Sequence, residues 1–178
     1  MLDTLRKALE SQVKDLYSAE NQLVKALPRM AKAATSTTLR DALEAHLEET
    51  KVHVERLQQA AEILDIRPGG KKCKAMEGLI EEGKEVLQEE GEGAIIDAAL
   101  IAAAQRVEHY EIASYGTVRT LAETLGNSRL AGLFQQTLEE ENAADEKLTG
   151  ISESEALPAA ALVGEDATSK NPSSRLRV

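Results

Sequence analysis

The feature that most constrains this chain is that it repeats itself. Shifted by 91 positions, the sequence falls onto its own second half. Leu47–Glu49 lands on Leu138–Glu140, both "LEE", and "ERL" at Glu55–Leu57 lands on "EKL" at Glu146–Leu148. Leu9 meets Leu100, Leu39 meets Leu130, Leu43 meets Phe134, and Glu20 meets Glu111. The polar turn "TSTT" (Thr35–Thr38) meets "GNSR" (Gly126–Arg129). A chain built this way folds as two copies of one unit that bury their apolar faces on each other.

The unit is a helical hairpin. Aromatic residues make up 2% of the chain, and Trp is absent. The core must therefore come from Leu, Ala, Ile and Val, in a background of Glu, Lys, Gln and Arg that favours helix. Apolar residues at 3.6-residue spacing predict helices over Thr4–Ala34, Leu39–Leu64, Ala94–Leu125 and Leu130–Thr149. Asp3 or Thr4 can cap the first helix, and a hydroxyl of "TSTT" the second. Pro28 is expected to kink the first helix or end its first part, and Gly126 to stop the third. The connector, Asp65–Gly93, opens on the breaker "DIRPGGKKC" and carries a short amphipathic helix over Ala75–Glu89. Two antiparallel hairpins joined by a long crossover give an all-α, ferritin-like four-helix bundle over residues 1–150. Residues 151–178, rich in Ser, Ala, Pro and Glu, read as a flexible tail.

The inner faces carry acids. On helical wheels, Leu9, Val13, Leu16, Val24 and Leu27 lie within about 40° of Glu20. Leu100, Ala104, Val107, Val118 and Leu125 lie within about 40° of Glu111. The second helix centres on Leu39, Leu43, Leu57 and Leu64, with His46, Thr50 and His53 among them and Glu49 at the edge. The fourth centres on Leu130, Phe134, Glu141 and Leu148, with Asp145 beside that line. The repeat makes Glu140 the partner of Glu49, whereas the wheel favours Glu141. Measured from the turns, these residues stand at similar depth in all four helices.

Several carboxylates buried together must be neutralised by protons, by buried bases or by cations. No inward Lys or Arg is evident at these levels. Two divalent ions would balance four carboxylates, and carboxylate with imidazole suits Fe first and Mn second. The candidate ligands are Glu20, His46, Glu49, Glu108, Glu111, Glu140, Glu141 and Asp145. Dimetal bundles use one Glu from each of two helices and Glu-x-x-His from the other two. Here Glu20 and Glu111 fit the single positions, but Glu-x-x-His is missing. The second helix offers "HLEETKVH", and the fourth offers "EEENAADE" without any histidine. The bland alternative bonds Glu20 and Glu111 to Tyr17, Tyr110 or Tyr115 in the core. It leaves the other acids on solvated helix edges. His109, about 160° from Glu111, belongs on the surface. Cys73, flanked by Lys71, Lys72 and Lys74, is either a reactive thiol or a packing residue.

A formal net charge of −10 argues against nucleic acid and membranes as partners. The amino-terminal stretch is charged rather than signal-like, and no apolar run reaches the ~18 residues of a membrane span. One cysteine excludes an internal disulfide and suits a cytoplasmic setting.

The segments "LYSAENQL", "HLEET", "KCKAMEGLIEEG", "DAALIAAAQRVEHYEIASYGT" and "QTLEEENAADEKL" together resemble the YciE/YciF family of bacterial stress proteins, within the ferritin-like superfamily. The resemblance covers about residues 4–150. It implies a helical bundle with a carboxylate-rich dimetal site, a homodimer and a role in stress, without a settled activity. The expectation is a di-iron or Mn/Fe protein that reacts with O2 or peroxide. A non-catalytic helical stress protein that builds an assembly or binds a partner is the alternative.

Overall fold

The computed structural model describes residues 4–169, with side chains to residue 163. The helices are α1 (Leu5–Ala33), α2 (Thr37–Ile63), α3 (Lys74–Val86), α4 (Gly93–Thr124), α5 (Ser128–Ile151) and α6 (Leu157–Ser169). There is no strand among the described residues.

Local signals set the ends. Thr4 caps α1 by accepting from the Lys7 N–H at 3.2 Å. Ser36 caps α2 through the Leu39 N–H at 3.3 Å, and Asn127 caps α5 through the Leu130 N–H at 3.0 Å. Gly126, at φ 73°, takes the left-handed step that closes α4. Pro28 does not break α1, which runs through it. The ring sits on the exposed face, where the carbonyl it leaves without a partner lies towards water.

Four helices pack in a ring of antiparallel neighbours: α1 with α2, α2 with α5, α5 with α4, and α4 with α1. Two apolar clusters show the direction of each. Leu9, Val13, Leu16, Leu57, Leu64, Val118, Leu130 and Phe134 form one end. Leu23, Leu27, Leu39, Leu43, Leu100, Val107, Leu148 and Ile151 form the other. The chain passes between the clusters in one sense on α1 and α5, and in the opposite sense on α2 and α4. The link from α2 to α4 must therefore cross the length of the bundle, which is the ferritin-like topology.

The crossover is packed. Met76 is fully buried, with Leu79 and Ile80 against the same cluster. Cys73 is its anchor rather than a reactive thiol. Its sulfur accepts from the Met76 N–H at 3.4 Å and lies 3.0 Å from the Tyr110 hydroxyl, and burial pushes its pKa up. Tyr110 in turn donates to Asp15 Oδ2 at 3.0 Å.

The expected loose tail is helical as far as the structure describes it. A wide turn, Ser152–Ala156, continues α5 into α6. Ile151 and Ala156 are buried in the apolar cluster that holds Leu27, Leu100 and Leu148, and α6 packs on α4. Small and apolar residues among the polar ones supply this anchor, and an average over composition hides them. Residues 170–178 of the expected tail lie outside the described residues. Among the described residues no helix is long and apolar enough to cross a membrane.

Asp97 fastens the two hairpins. Its carboxylate accepts from the Thr35 N–H (2.8 Å), the Thr35 hydroxyl (2.6 Å) and the Ser36 N–H (2.8 Å). The backbone at Gly93 comes so near that a Cβ there would lie 2.7 Å from Thr35 Oγ1. Asp97→Ala removes three hydrogen bonds from a largely exposed turn, where the freed N–H groups can meet water, and should cost about 1–2 kcal/mol in urea unfolding. A loss below about 0.5 kcal/mol would show that the turn holds without it.

Candidate metal centre

Between the apolar ends lies a polar layer. Glu20, His53, Glu111 and Glu141 are fully buried, Glu108 is 2% exposed and His46 6%. Every bundle helix contributes: Glu20 from α1, His46 and His53 from α2, Glu108 and Glu111 from α4, Glu141 from α5. Each sits on its helix's apolar stripe, so the packing that buries the leucines buries these groups too.

They form two groups of potential ligands, each with ligand atoms within 4.8 Å of one another. One is His46, Glu108, Glu111 and Glu141; the other is Glu20, His53 and Glu141. Glu141 belongs to both, so it stands where a carboxylate could bridge two ions. His46 Nε2 lies 3.4 Å from Glu108 Oε1 and 3.8 Å from Glu141 Oε2. His53 Nδ1 lies 2.9 Å from Glu141 Oε1 and 3.7 Å from Glu20 Oε1. The Tyr115 hydroxyl donates to Glu20 Oε1.

Glu49 and Glu140, equivalent in the repeat, stand behind the histidines. Glu49 is half exposed, with Oε2 3.5 Å from His46 Nδ1. Glu140 Oε2 lies 2.8 Å from His53 Nε2, and its carboxylate is gripped by both terminal nitrogens of Arg56, Nη2 to Oε1 at 2.8 Å. The hydrogen bond to Glu140 sets which nitrogen of His53 faces the layer, as outer carboxylates do for metal-bound histidines. His46 pK is pulled two ways: burial opposes the charged ring, but Glu108 and Glu49 raise it overall. His46 holds Glu49 below the usual carboxylate range, and Arg56 does the same for Glu140.

The metal reading rests on unsatisfied atoms. Both oxygens of Glu111, one each of Glu20 and Glu108, Glu141 Oε2 and His46 Nε2 are buried without a hydrogen bond, while Glu141 Oε1 and His53 Nδ1 face each other at 2.9 Å. Such groups are rare in native proteins and ask for an explanation. Burial pushes the Glu111 carboxyl well above its usual range, and Glu20, Glu141 and Glu108 add to the effect. Burial likewise raises Glu108 and Glu141, against the pull of His46 and His53 respectively. The unpaired atoms are carboxylate oxygens and an imidazole nitrogen converging on one layer. That donor set fits divalent Fe or Mn.

Of the residues singled out in the sequence, the structure brings Glu20, His46, Glu108, Glu111 and Glu141 together. Glu49 and Glu140 touch the histidines instead. Asp145 is in neither group; Gln105 Nε2 donates to its Oδ1 at 3.1 Å, and His109 lies 3.7 Å away, exposed on the surface. Asp145 lies one turn beyond Glu141, about 6 Å along the axis, and so above the layer. His53 was on the apolar stripe but outside the ligand set. Arg56 is the inward base the sequence did not reveal. It reaches in from a helix edge, where a wheel marks the backbone position and not the length of the side chain.

A family model described as a domain of unknown function, DUF892, matches residues 4–161. Protein YciF of Escherichia coli (strain K12) is 49% identical over 152 residues, which span 85% of this chain and 92% of that protein. This chain belongs to the YciF family. The crystal structure of the E. coli stress protein YciF matches with a TM-score of 0.82, over 84% of this chain and 95% of that one. YcfI from Rhodopseudomonas palustris, 42% identical, matches at 0.81 over 83% and 94%. A ferritin-like, diiron-carboxylate protein from Bacillus anthracis matches at 0.66 over 84% of this chain and 99% of that one. At 14% identity that last likeness shows the shared fold alone.

In this YciF-family bundle, Glu111→Gln removes a buried, unpartnered charge. At mildly alkaline pH it should stabilise the metal-free protein by about 1–3 kcal/mol in urea while weakening divalent-ion binding. Destabilisation without any loss of ion binding would show that Glu111 serves the fold and not an ion. The pH dependence has a definite sign. Burial opposes the charge on His53, yet Glu141 and Glu20 raise its pKa from 6.5 to about 10. The folded form then keeps a proton that the unfolded chain releases. Its contribution is complete below about pH 6.5 and fades as pH rises through about 10. The raised carboxyls act in the same direction. Melting temperature of the metal-free protein should fall across this window, and saturating Mn(II) should remove the fall. A rise with pH in metal-free protein would contradict the charge arrangement.

Proposed function

We propose that the layer holds two divalent metal ions, Fe first and Mn as the alternative, and that the protein reacts with O2 or peroxide in the stress response. We also propose that it does so as a cytoplasmic homodimer. The observation that carries the reading is the set of buried, unpartnered ligand atoms converging from four helices around Glu141. The ferritin-like fold supports it.

Glu108, Glu111 and His46 would hold one ion, Glu20 and His53 the other, with Glu141 shared. An iron pair supplies redox chemistry towards O2 and peroxide, one electron from each ion. The chain's own groups do the rest. Tyr115 holds Glu20 in place through its hydroxyl, leaving Glu20 Oε2 as the free donor. Glu49 and Glu140 orient the imidazoles. Arg56 keeps Glu140 ionised and turned towards His53. The apolar clusters on both sides keep bulk water from the layer. Access is through a cavity of about 140 Å³ between α2 and α5, which reaches His46 and Glu108. Ala42, Ala45, Ala143 and Ala144 line it, so it admits a small oxidant more readily than a large organic substrate.

The test is peroxide consumption by anaerobically iron-loaded protein, wild type beside Glu20→Ala/Glu111→Ala. Wild type should consume about one peroxide per two iron ions, since each ion gives one electron. The double variant should bind at most a fraction of the iron and lose the reaction. If iron-loaded wild type consumes no peroxide or O2 and gains no stability from metal, the redox reading falls. A non-catalytic helical stress protein would then be the better account.

A further inference from the structure

The crossover helix leaves a second cavity, which shares no lining residue with the one at His46 and Glu108. Between α1, α3 and α4 lies a cleft of about 230 Å³. Its interior is apolar: Leu23, Met30, Leu79, Ile80, Ala103 and Val107 line it. Its polar lining residues are Gln22, Lys25, Arg29 and Lys84, and no carboxylate is among them. In a chain with 31 acids and 21 Lys and Arg, that local excess of positive charge needs a reason. Lys84 is engaged by Glu81 on its own helix, at 2.8 Å. Lys25 and Arg29, exposed and one turn apart on α1, make no ion pair or hydrogen bond among the described residues.

The space is also kept open. Gly83 is a buried glycine within α3, where glycine costs about 1 kcal/mol relative to alanine. A Cβ built on it would meet nothing within 4 Å. Neither helix geometry nor close packing therefore requires glycine here. Its effect is to leave room in the cleft.

We infer that this cleft binds a small anionic amphiphile, specifically a free medium-chain carboxylate. Its chain would lie on Leu23, Leu79 and Val107, and its head group would meet Lys25 and Arg29. At roughly 30 Å³ for a water-sized group, the cleft takes about eight such groups, the length of octanoate. An apolar interior with a few charged groups at one end is the usual character of such sites. The site stands apart from the metal centre, and its occupancy does not depend on metal being bound.

Calorimetric titration of the full chain with octanoate, octylammonium and octanol tests this directly, in wild type, Lys25→Glu/Arg29→Glu and Gly83→Leu. Wild type should bind one octanoate per chain and octylammonium at least about tenfold more weakly. The charge reversal should weaken octanoate about tenfold or more, leaving the melting temperature unchanged. Gly83→Leu should fill the cleft and abolish binding while keeping or raising the melting temperature. Absence of saturable octanoate binding overturns the inference. So does equal binding of octanol or octylammonium, or octanoate binding untouched by both variants. Loss of self-association in Gly83→Leu, with no octanoate binding in wild type, would overturn it in favour of a second copy on this face.

Discussion

Everything in this structure depends on four carboxylates being placed where water cannot solvate them. Glu20, Glu108, Glu111 and Glu141 meet in a layer closed above and below by leucine, valine and alanine. Bringing like charges together in such surroundings is costly, and burial with the neighbouring carboxylates pushes Glu108, Glu111 and Glu141 above the usual range. Two imidazoles offset part of the charge. Both oxygens of Glu111, Glu20 Oε2 and Glu108 Oε2 are left without a hydrogen bond. The fold tolerates this because the apolar clusters at the two ends supply its stability, leaving the middle free for chemistry.

The duplicated hairpin explains how such a layer arises and why it is not symmetric. Glu20 and Glu111 are equivalent and both point inward. Glu49 and Glu140 are equivalent, and both stand behind a histidine rather than in the layer. Elsewhere the halves have parted. Thr50 is the counterpart of Glu141, Thr137 of His46, Ala144 of His53 and Tyr17 of Glu108. The first half thus supplies the imidazoles and the second half the extra carboxylates. Thr50 and Thr137 stay buried but satisfied, Thr50 donating to the His46 carbonyl at 2.8 Å and Thr137 accepting from Arg56 at 3.2 Å. Each half is incomplete as a donor set, and only the docked pair assembles one. Asp97, joining α4 to the turn between α1 and α2, holds the halves in that register.

Much of this was legible in the sequence because helical periodicity and an internal repeat both bear on the same positions. The four helices, the crossover and the central acids Glu20 and Glu111 follow from spacing, and the turn chemistry of TSTT and Gly126 marks two helix ends; between Glu140 and Glu141 the repeat and the wheel disagree, and the structure puts Glu141 in the layer. Periodicity assigns a direction to each backbone position, and that is its limit. It could not separate Glu49, at the stripe's edge and half in solvent, from a ligand. It gave no measure of Arg56's reach, and it placed Asp145 on the right face but one turn too far along. His53 was on the stripe; only the structure shows its two nitrogens between Glu141 and Glu140. The helical continuation after Ile151 is hidden in the sequence because Ser and Glu alternate over 152–155 and Pro158 reads as a breaker, whereas Ile151 and Ala156 do the packing.

The most direct test of the central claim is where ions lie in a crystal grown or soaked with Mn(II), read from anomalous scattering. Two peaks flanking the Glu141 carboxylate are expected, one beside His46, Glu108 and Glu111, the other beside Glu20 and His53. An empty layer would contradict the account, as would ions only at Glu49, Glu140 or Asp145 on the rim. The buried acids would then be held by protons and imidazoles, and the layer would be part of the fold rather than a metal centre.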